Sequence, residues 1–195
     1  QFYTVLSMVT TRRDERVLKR LRTGEARDWE ILGGICLPGV LLTTVFTIAI
    51  IPLLMVLGAP APVNLIPVVL AVLLGLILTS ALAFVTSGFT RNAEAAQLTS
   101  MPVLTIAILG LGSLRPIFGE GIAAEIISYT PFAMISDLVQ LGWAGATFTD
   151  TMNGVEALNF AGVLGASVQP LLIILVWTAL AVVATRQYMR WDTHR

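Results

Sequence analysis

Sixty consecutive residues, Ile31 to Thr90, contain no Asp, Glu, Lys or Arg. Two further stretches, Ala95 to Leu114 and Ala157 to Thr185, are equally free of charge. Elements of a water-soluble fold keep one face toward water and interleave polar residues every few positions. These stretches do not, and only 12% of the chain is charged, where soluble domains carry about 25%. Lipid offers no partner to a free backbone amide, so runs of this length fold as membrane-spanning helices. The expected fold class is an all-α polytopic membrane protein.

A bilayer core of about 30 Å needs about 20 apolar residues as a helix, and four full spans can be drawn. The first, residues 29–57, holds an apolar run, Ile31 to Leu57, that would extend about 40 Å at a rise of about 1.5 Å per residue. It must tilt, bend or protrude. Pro38 and Pro52 each remove a backbone donor and crowd the preceding turn, so a kink is expected at Pro38. The turn Gly58-Ala59-Pro60-Ala61-Pro62 ends this span. Residues 63–87 form the second span, 88–97 a short polar connection, and 98–114 a third span antiparallel to the second. A mixed stretch, 115–156, leads to the last span, 157–185, and to a basic tail, 186–195. Residues 1–9 read as the end of a spanning helix whose beginning is missing, and residues 10–28 as an extramembrane helix and linker. The 27-residue apolar run that follows the basic segment exceeds the h-region of a cleavable signal, about 7 to 15 residues.

The formal net charge is zero, but its distribution is uneven. With residues 10–28 cytoplasmic, Arg12, Arg13, Arg16, Lys19, Arg20, Arg22, Arg27, Arg91, Arg186, Arg190 and Arg195 share one side, 11 of the 12 cations. The other side holds Arg115 beside Glu120, Glu125, Asp137, Asp150 and Glu156. That asymmetry places the C-terminus in the cytoplasm. Trp29, Trp143 and Trp191 fall near proposed span ends, as interfacial anchors do, while Trp177 lies inside its span.

The external stretch is neither a plain loop nor a clean span. Thr130-Pro131 reads as a helix start with Pro at the first helical position. The helix that follows would place Ile135, Leu138, Val139 and Gly142 on one face and Ser136, Asp137 and Gln140 elsewhere. Such a piece is too short to cross and is read as re-entrant or lying at the outer interface, with a structured loop as the alternative.

Several chemistries are excluded. Lys19 is the only lysine and is followed by Arg20, so no G-x-x-x-x-G-K-[ST] phosphate loop exists in this sequence. One histidine, His194, and one cysteine, Cys36, cannot assemble a His/Cys metal site or an internal disulfide within one chain. Nucleic-acid binding has no support. No span carries a His base, paired aspartates or a metal site for proteolysis, and none carries the ionisable residues of ion-coupled transport. No catalytic residue is expected in the chain.

The most informative segment is Thr10 to Trp29. Within it Val17, Leu18 and Leu21 form an apolar stripe among cations, and Thr23-Gly24 stops the pattern, which describes a short amphipathic helix over Arg12 to Arg22. Two roles fit: a polybasic cluster touching anionic lipid, or a docking element for a cytoplasmic partner. Lipid contact does not require the interleaved acids Asp14, Glu15, Glu25, Asp28 and Glu30.

Three segments carry a resemblance. L-K-R-L-R-T-G-E-A-R-D-W-E-I-L-G-G-I-C-L-P (Leu18 to Pro38), F-T-R-N-A-E-A-A-Q-L-T-S-M-P (Phe89 to Pro102) and Y-T-P-F-A-M-I-S-D-L-V-Q-L-G-W-A-G (Tyr129 to Gly145) resemble permease subunits of type-2 ABC exporters. The likeness is to the antibiotic and multidrug efflux class of high-GC Gram-positive bacteria, and the tail R-W-D-T-H-R is similar to that family's. The resemblance implies a six-helix permease of a bacterial cell membrane, of which this chain holds the last four spans. It implies a cytoplasmic coupling helix, here Arg12 to Arg22, with Glu15, Val17, Leu18, Lys19, Arg20 and Leu21 contacting a separate ATPase subunit. ATP and Mg would bind in that partner, with no cofactor in this chain, and a second permease chain would complete the pathway. Many members have Gly at the position of Arg16 and Pro soon after the threonine, where this chain has Gly24-Glu25.

Met101, Thr105, Ile108 and Gly112 would share one face of the third span and either line a path for an apolar substrate or pack against a neighbour. Small residues at four-residue spacing, Ala71/Gly75/Thr79 and Ala161/Gly165, read as helix-packing surfaces. The expected function is outward transport of a hydrophobic or amphiphilic compound. A non-transporting membrane scaffold is the alternative, followed by a secondary transporter.

Overall fold

The structure, a computed structural model, describes residues 1–15, 17, 21, 27–119 and 121–189. Among the described residues every regular element is helical. They are α1 (Phe2–Asp14), α2 (Asp28–Val56), α3 (Leu65–Ser87), α4 (Ala95–Leu109), a 3-10 turn (Arg115–Phe118), α5 (Ile122–Ser128), α6 (Pro131–Ala144), α7 (Phe148–Met152) and α8 (Phe160–Tyr188). Helices α2, α3 and α8 are each long and apolar enough to cross a membrane; α5 and α6 pass the same test together but are bent by 69°.

Two expected boundaries move. Helix α1 runs on to Asp14, so Arg12 to Asp14 belong to it rather than to a separate coupling helix. Nothing between Val9 and Asp14 breaks a helix, and the Thr10 hydroxyl turns back to the Leu6 and Ser7 carbonyls, 3.0 Å from each. Helix α4 begins at Ala95, whose amide is accepted by the Asn92 side chain at 2.9 Å, and ends at Leu109 rather than Leu114. At about 1.5 Å per residue it is about 22 Å long, short of a full bilayer core. It stops where α6 arrives: a Cβ on Gly110 would sit 2.7 Å from the Ala133 amide nitrogen. Only glycine permits that approach.

The chain divides into two compact units. The first comprises Gln1–Ile50, Leu76–Met101 and Ala179–Arg195. Phe2, Val5, Leu6 and Val9 of α1 are buried in it, as are Leu78, Ala83 and Phe84 of α3. The Gln1 side chain donates to Ser80 at 3.0 Å, and Thr185 of α8 donates to the Ala81 carbonyl at 3.2 Å. The rings of Phe89 and Tyr188 lie 5.4 Å apart. The C-terminal part of α3 is therefore gripped by α1 and α8.

The second unit comprises Ile51–Gly75 and Pro102–Thr178. Its core is Ala71, Met134, Leu138 and Ile174, with Leu74, Ile135 and Leu171 packed around them. Helix α6 starts as its sequence dictates, with the Thr130 hydroxyl accepting from the Ala133 amide and Pro131 in the first turn. It ends at Gly145, whose φ of 73° is the left-handed C-cap conformation. Asn64 caps α3 by accepting from the Ile66 amide at 2.9 Å, and its own amide donates to the Gly142 carbonyl at 2.9 Å.

The small-residue stripes divide. Ala71 is fully buried and Gly75 faces the Ile135 side chain at 3.5 Å from its Cβ position. Ala161 and Gly165 are exposed, and nothing lies within 4 Å of a Cβ on Gly165. The buried face of α8 carries Val163, Ser167 and Ile174 instead. A helix that is apolar all round does not announce which face will pack.

Candidate functional site

Of the six residues expected to couple to an ATPase, Leu18, Lys19 and Arg20 lie outside the described residues. Glu15 is the C-cap of α1, its amide donating to the Thr11 carbonyl. Val17 and Leu21 are helical; Val17 is half-buried and Leu21 exposed.

Arg13, immediately upstream, was expected only as one of the cytoplasmic cations of the Arg12 to Arg22 helix. It lies in the last turn of α1 and is only 1% exposed. Its Nη1 donates to the Ser87 carbonyl at 2.7 Å. Its Nη2 donates to the Thr90 carbonyl and reaches the Arg91 carbonyl at 3.4 Å. Ser87 closes α3, and the last carbonyls of a helix have no intrahelical donors and carry the negative end of its dipole. The guanidinium fork supplies what that end lacks. Thr90 is itself fully buried and bonds the hydroxyl of Thr99 on α4 at 2.8 Å.

Of the four residues expected along a substrate path, three stay on α4 and one leaves it. Met101, Thr105 and Ile108 are exposed on α4. Gly112 lies beyond the end of that helix and is buried; its amide donates to the Ser136 hydroxyl at 3.1 Å, and a Cβ there would sit 2.7 Å from the Gln140 amide group. It contacts α6 and leaves the proposed stripe, because the chain turns at Gly110 rather than continuing the helix. Pro38 is exposed, within an α2 that is helical throughout Asp28–Val56.

In the second unit the polar residues of α6 have partners where the amphipathic pattern placed them away from its buried face. Asp137 is 7% exposed and forms a two-pronged ion pair with Arg115, one prong being Nη1 to Oδ2 at 3.0 Å. Ser136 accepts from Gly112, and the Gln140 side chain accepts from the Phe148 amide. The pattern failed because it scored polarity, whereas an aspartate that meets a guanidinium can be buried. The available signal was Arg115 itself, a lone cation in an otherwise acidic stretch.

This ion pair borders a cavity of about 410 Å³. Met134, Leu141, Leu158 and Pro170 form its apolar wall, and Thr147 and Asp150 are among its polar lining. The polar groups are largely occupied with one another: Asp150 accepts from the Thr147 amide and hydroxyl, at 3.1 and 2.6 Å, in the capping box of α7. The arrangement fastens turns and helix ends.

Comparison with known proteins returned one family. The profile described as ABC-2 family transporter protein matches residues 2–183. Neither a curated protein nor a solved structure matches the chain. The matched region takes in α2, α3, most of α8, the bent α5–α6 pair and Arg13. The chain belongs to the ABC-2 transporter family, as a multi-pass membrane permease component.

Proposed function

We propose that the chain is the permease subunit of an ATP-driven exporter that moves a hydrophobic or amphiphilic compound outward across a bacterial cell membrane, in the antibiotic and multidrug efflux class its motifs resemble. The observation that carries this reading is Leu21, helical and exposed among cations just after α1, in a chain whose sequence has no phosphate loop. Energy enters from a separate ATPase docked on the Glu15 to Leu21 segment, and ATP and Mg bind in that subunit. Val17, Leu18 and Leu21 provide contact area, while Glu15, Lys19 and Arg20 set orientation more than affinity, as rim charges do. The C-terminus is cytoplasmic, and a second permease chain completes the pathway. Met101, Thr105 and Ile108 are the residues of α4 available to a substrate, and Pro38 is the kink position of α2.

Burying a leucine is worth about 1.5 to 3 kcal/mol, so placing a charge there reverses the contact. Leu18→Asp and Leu21→Asp should each leave the permease in the membrane, reduce co-purification of the ATPase at least tenfold and abolish ATP-dependent efflux. Arg12→Ala should change neither. Wild-type ATPase binding and efflux in both aspartate variants would return the segment to a lipid-facing role and favour the scaffold reading.

A further inference from the structure

We propose that Arg13 is a positioning residue that transmits movement of the ATPase-docking segment to the connection between α3 and α4. The inference rests on the permease reading above and assigns a task to a residue that reading does not use. Arg13 is two residues upstream of Glu15, where the docking segment begins. Its guanidinium grips three successive landmarks of the α3–α4 connection: the Ser87 carbonyl that ends α3, and the Thr90 and Arg91 carbonyls beyond it. These contacts span 74 to 78 positions of sequence.

Two features make the grip a transmitter. The acceptors at 87, 90 and 91 are backbone atoms, so through them Arg13 follows or drives the path of the main chain and not merely the orientation of a side chain. The grip is also relayed: the Thr90 hydroxyl bonds back to the Thr86 carbonyl at 2.8 Å and across to Thr99 of α4 at 2.8 Å. With Arg13 and Thr90 both buried, water cannot replace a broken bond, and a displaced α1 end must carry the connection with it. A lysine delivers a compact ammonium in place of a planar fork and cannot reproduce the same spread of contacts.

The test uses the permease with its co-purified ATPase in lipid nanodiscs, with Cys36→Ser throughout and an environment-sensitive fluorophore on Glu94→Cys, an exposed position in the connection. The probe is MgATP with vanadate, and the readout is the change in label emission upon trapping. With Arg13 intact the label should respond. Arg13→Gln should retain the ATPase and its hydrolysis while the response falls at least tenfold, and Arg13→Lys should lose about threefold. Arg13→Cys with Ser87→Cys, joined by a short bifunctional thiosulfonate, should restore most of the response, which a merely stabilising role does not require. A full response in Arg13→Gln with the ATPase bound would overturn the proposal and leave Arg13 as a static helix cap. If Arg13→Gln does not accumulate, the bridged variant decides: restored response supports transmission, and a folded, bridged, unresponsive complex overturns it. Failure of any ATPase to co-purify with the unsubstituted chain overturns the permease reading itself, and this coupling role with it.

Discussion

Each unit holds an arginine largely away from solvent, and the acceptors described for the two differ in kind. Arg13 of the first unit is 1% exposed and grips backbone carbonyls at the end of α3. Arg115 of the second unit, its side chain 10% exposed, grips the carboxylate of Asp137. A carboxylate at the tip of a side chain fixes one element to another whatever the main chain does nearby, so Arg115 acts as a staple between the turn after α4 and helix α6. Carbonyl acceptors belong to the backbone, so the grip of Arg13 holds only while residues 87–91 keep their path. On the proposal above, the first arrangement follows the main chain, while the second ties two side chains. The division parallels the charges: of the 12 Lys and Arg residues only Arg115 falls in the second unit.

The sharpest test of that contrast is all or none. With Cys36→Ser, an impermeant thiol reagent added outside intact cells should label cysteines at Ala59 and Glu156, in the second unit, and should not label one at Glu94, in the first. External labelling at Glu94 would reverse the reading of the charge asymmetry. Next in size is the ion pair. Arg115→Ala leaves a buried carboxylate without its partner and should cost about 3 to 5 kcal/mol, seen as a lower unfolding temperature in detergent. Arg115→Met with Asp137→Leu should recover most of that loss, because the charge and its partner leave together. No side-chain substitution at Ser87, Thr90 or Arg91 can compensate Arg13→Met in the same way, since those acceptors are main-chain atoms. If Arg115→Ala proves neutral, the pair is no staple and the contrast fails.

The smallest effects concern glycines of the second unit. A Cβ on Gly142 would meet Val68 at 2.7 Å and the Asn64 carbonyl at 2.8 Å, so Gly142→Ala should destabilise by about 1 to 3 kcal/mol. Gly165 has open space around it, and Gly165→Ala should be neutral or stabilising by up to about 1 kcal/mol through helix propensity. Thermal unfolding of the two variants side by side measures the difference.

Much of the architecture was legible in the sequence because its cause is local. Charge-free runs longer than a bilayer core leave a chain no alternative to helices, and α2, α3 and α8 occupy those runs. Thr130-Pro131 marks the start of α6 because capping there depends on a hydroxyl and a missing amide, each the property of one residue. Burial of Asp137 and the early end of α4 were not, since both depend on what arrives from elsewhere in the chain.

The sequence by itself determined membrane class, helical content and the split of cations from acids, because lipid penalises every exposed amide and every unpartnered charge regardless of how the helices are packed. Tertiary structure alone decided which faces pack and which polar residues go inside. Between apolar helices in lipid the hydrophobic effect scarcely distinguishes one face from another, so close approach at glycines such as Gly110 and Gly142 makes the choice. Arg13 is the clearest case: carbonyls, which every residue possesses, are among its acceptors, and only the fold brings Ser87, Thr90 and Arg91 within its reach.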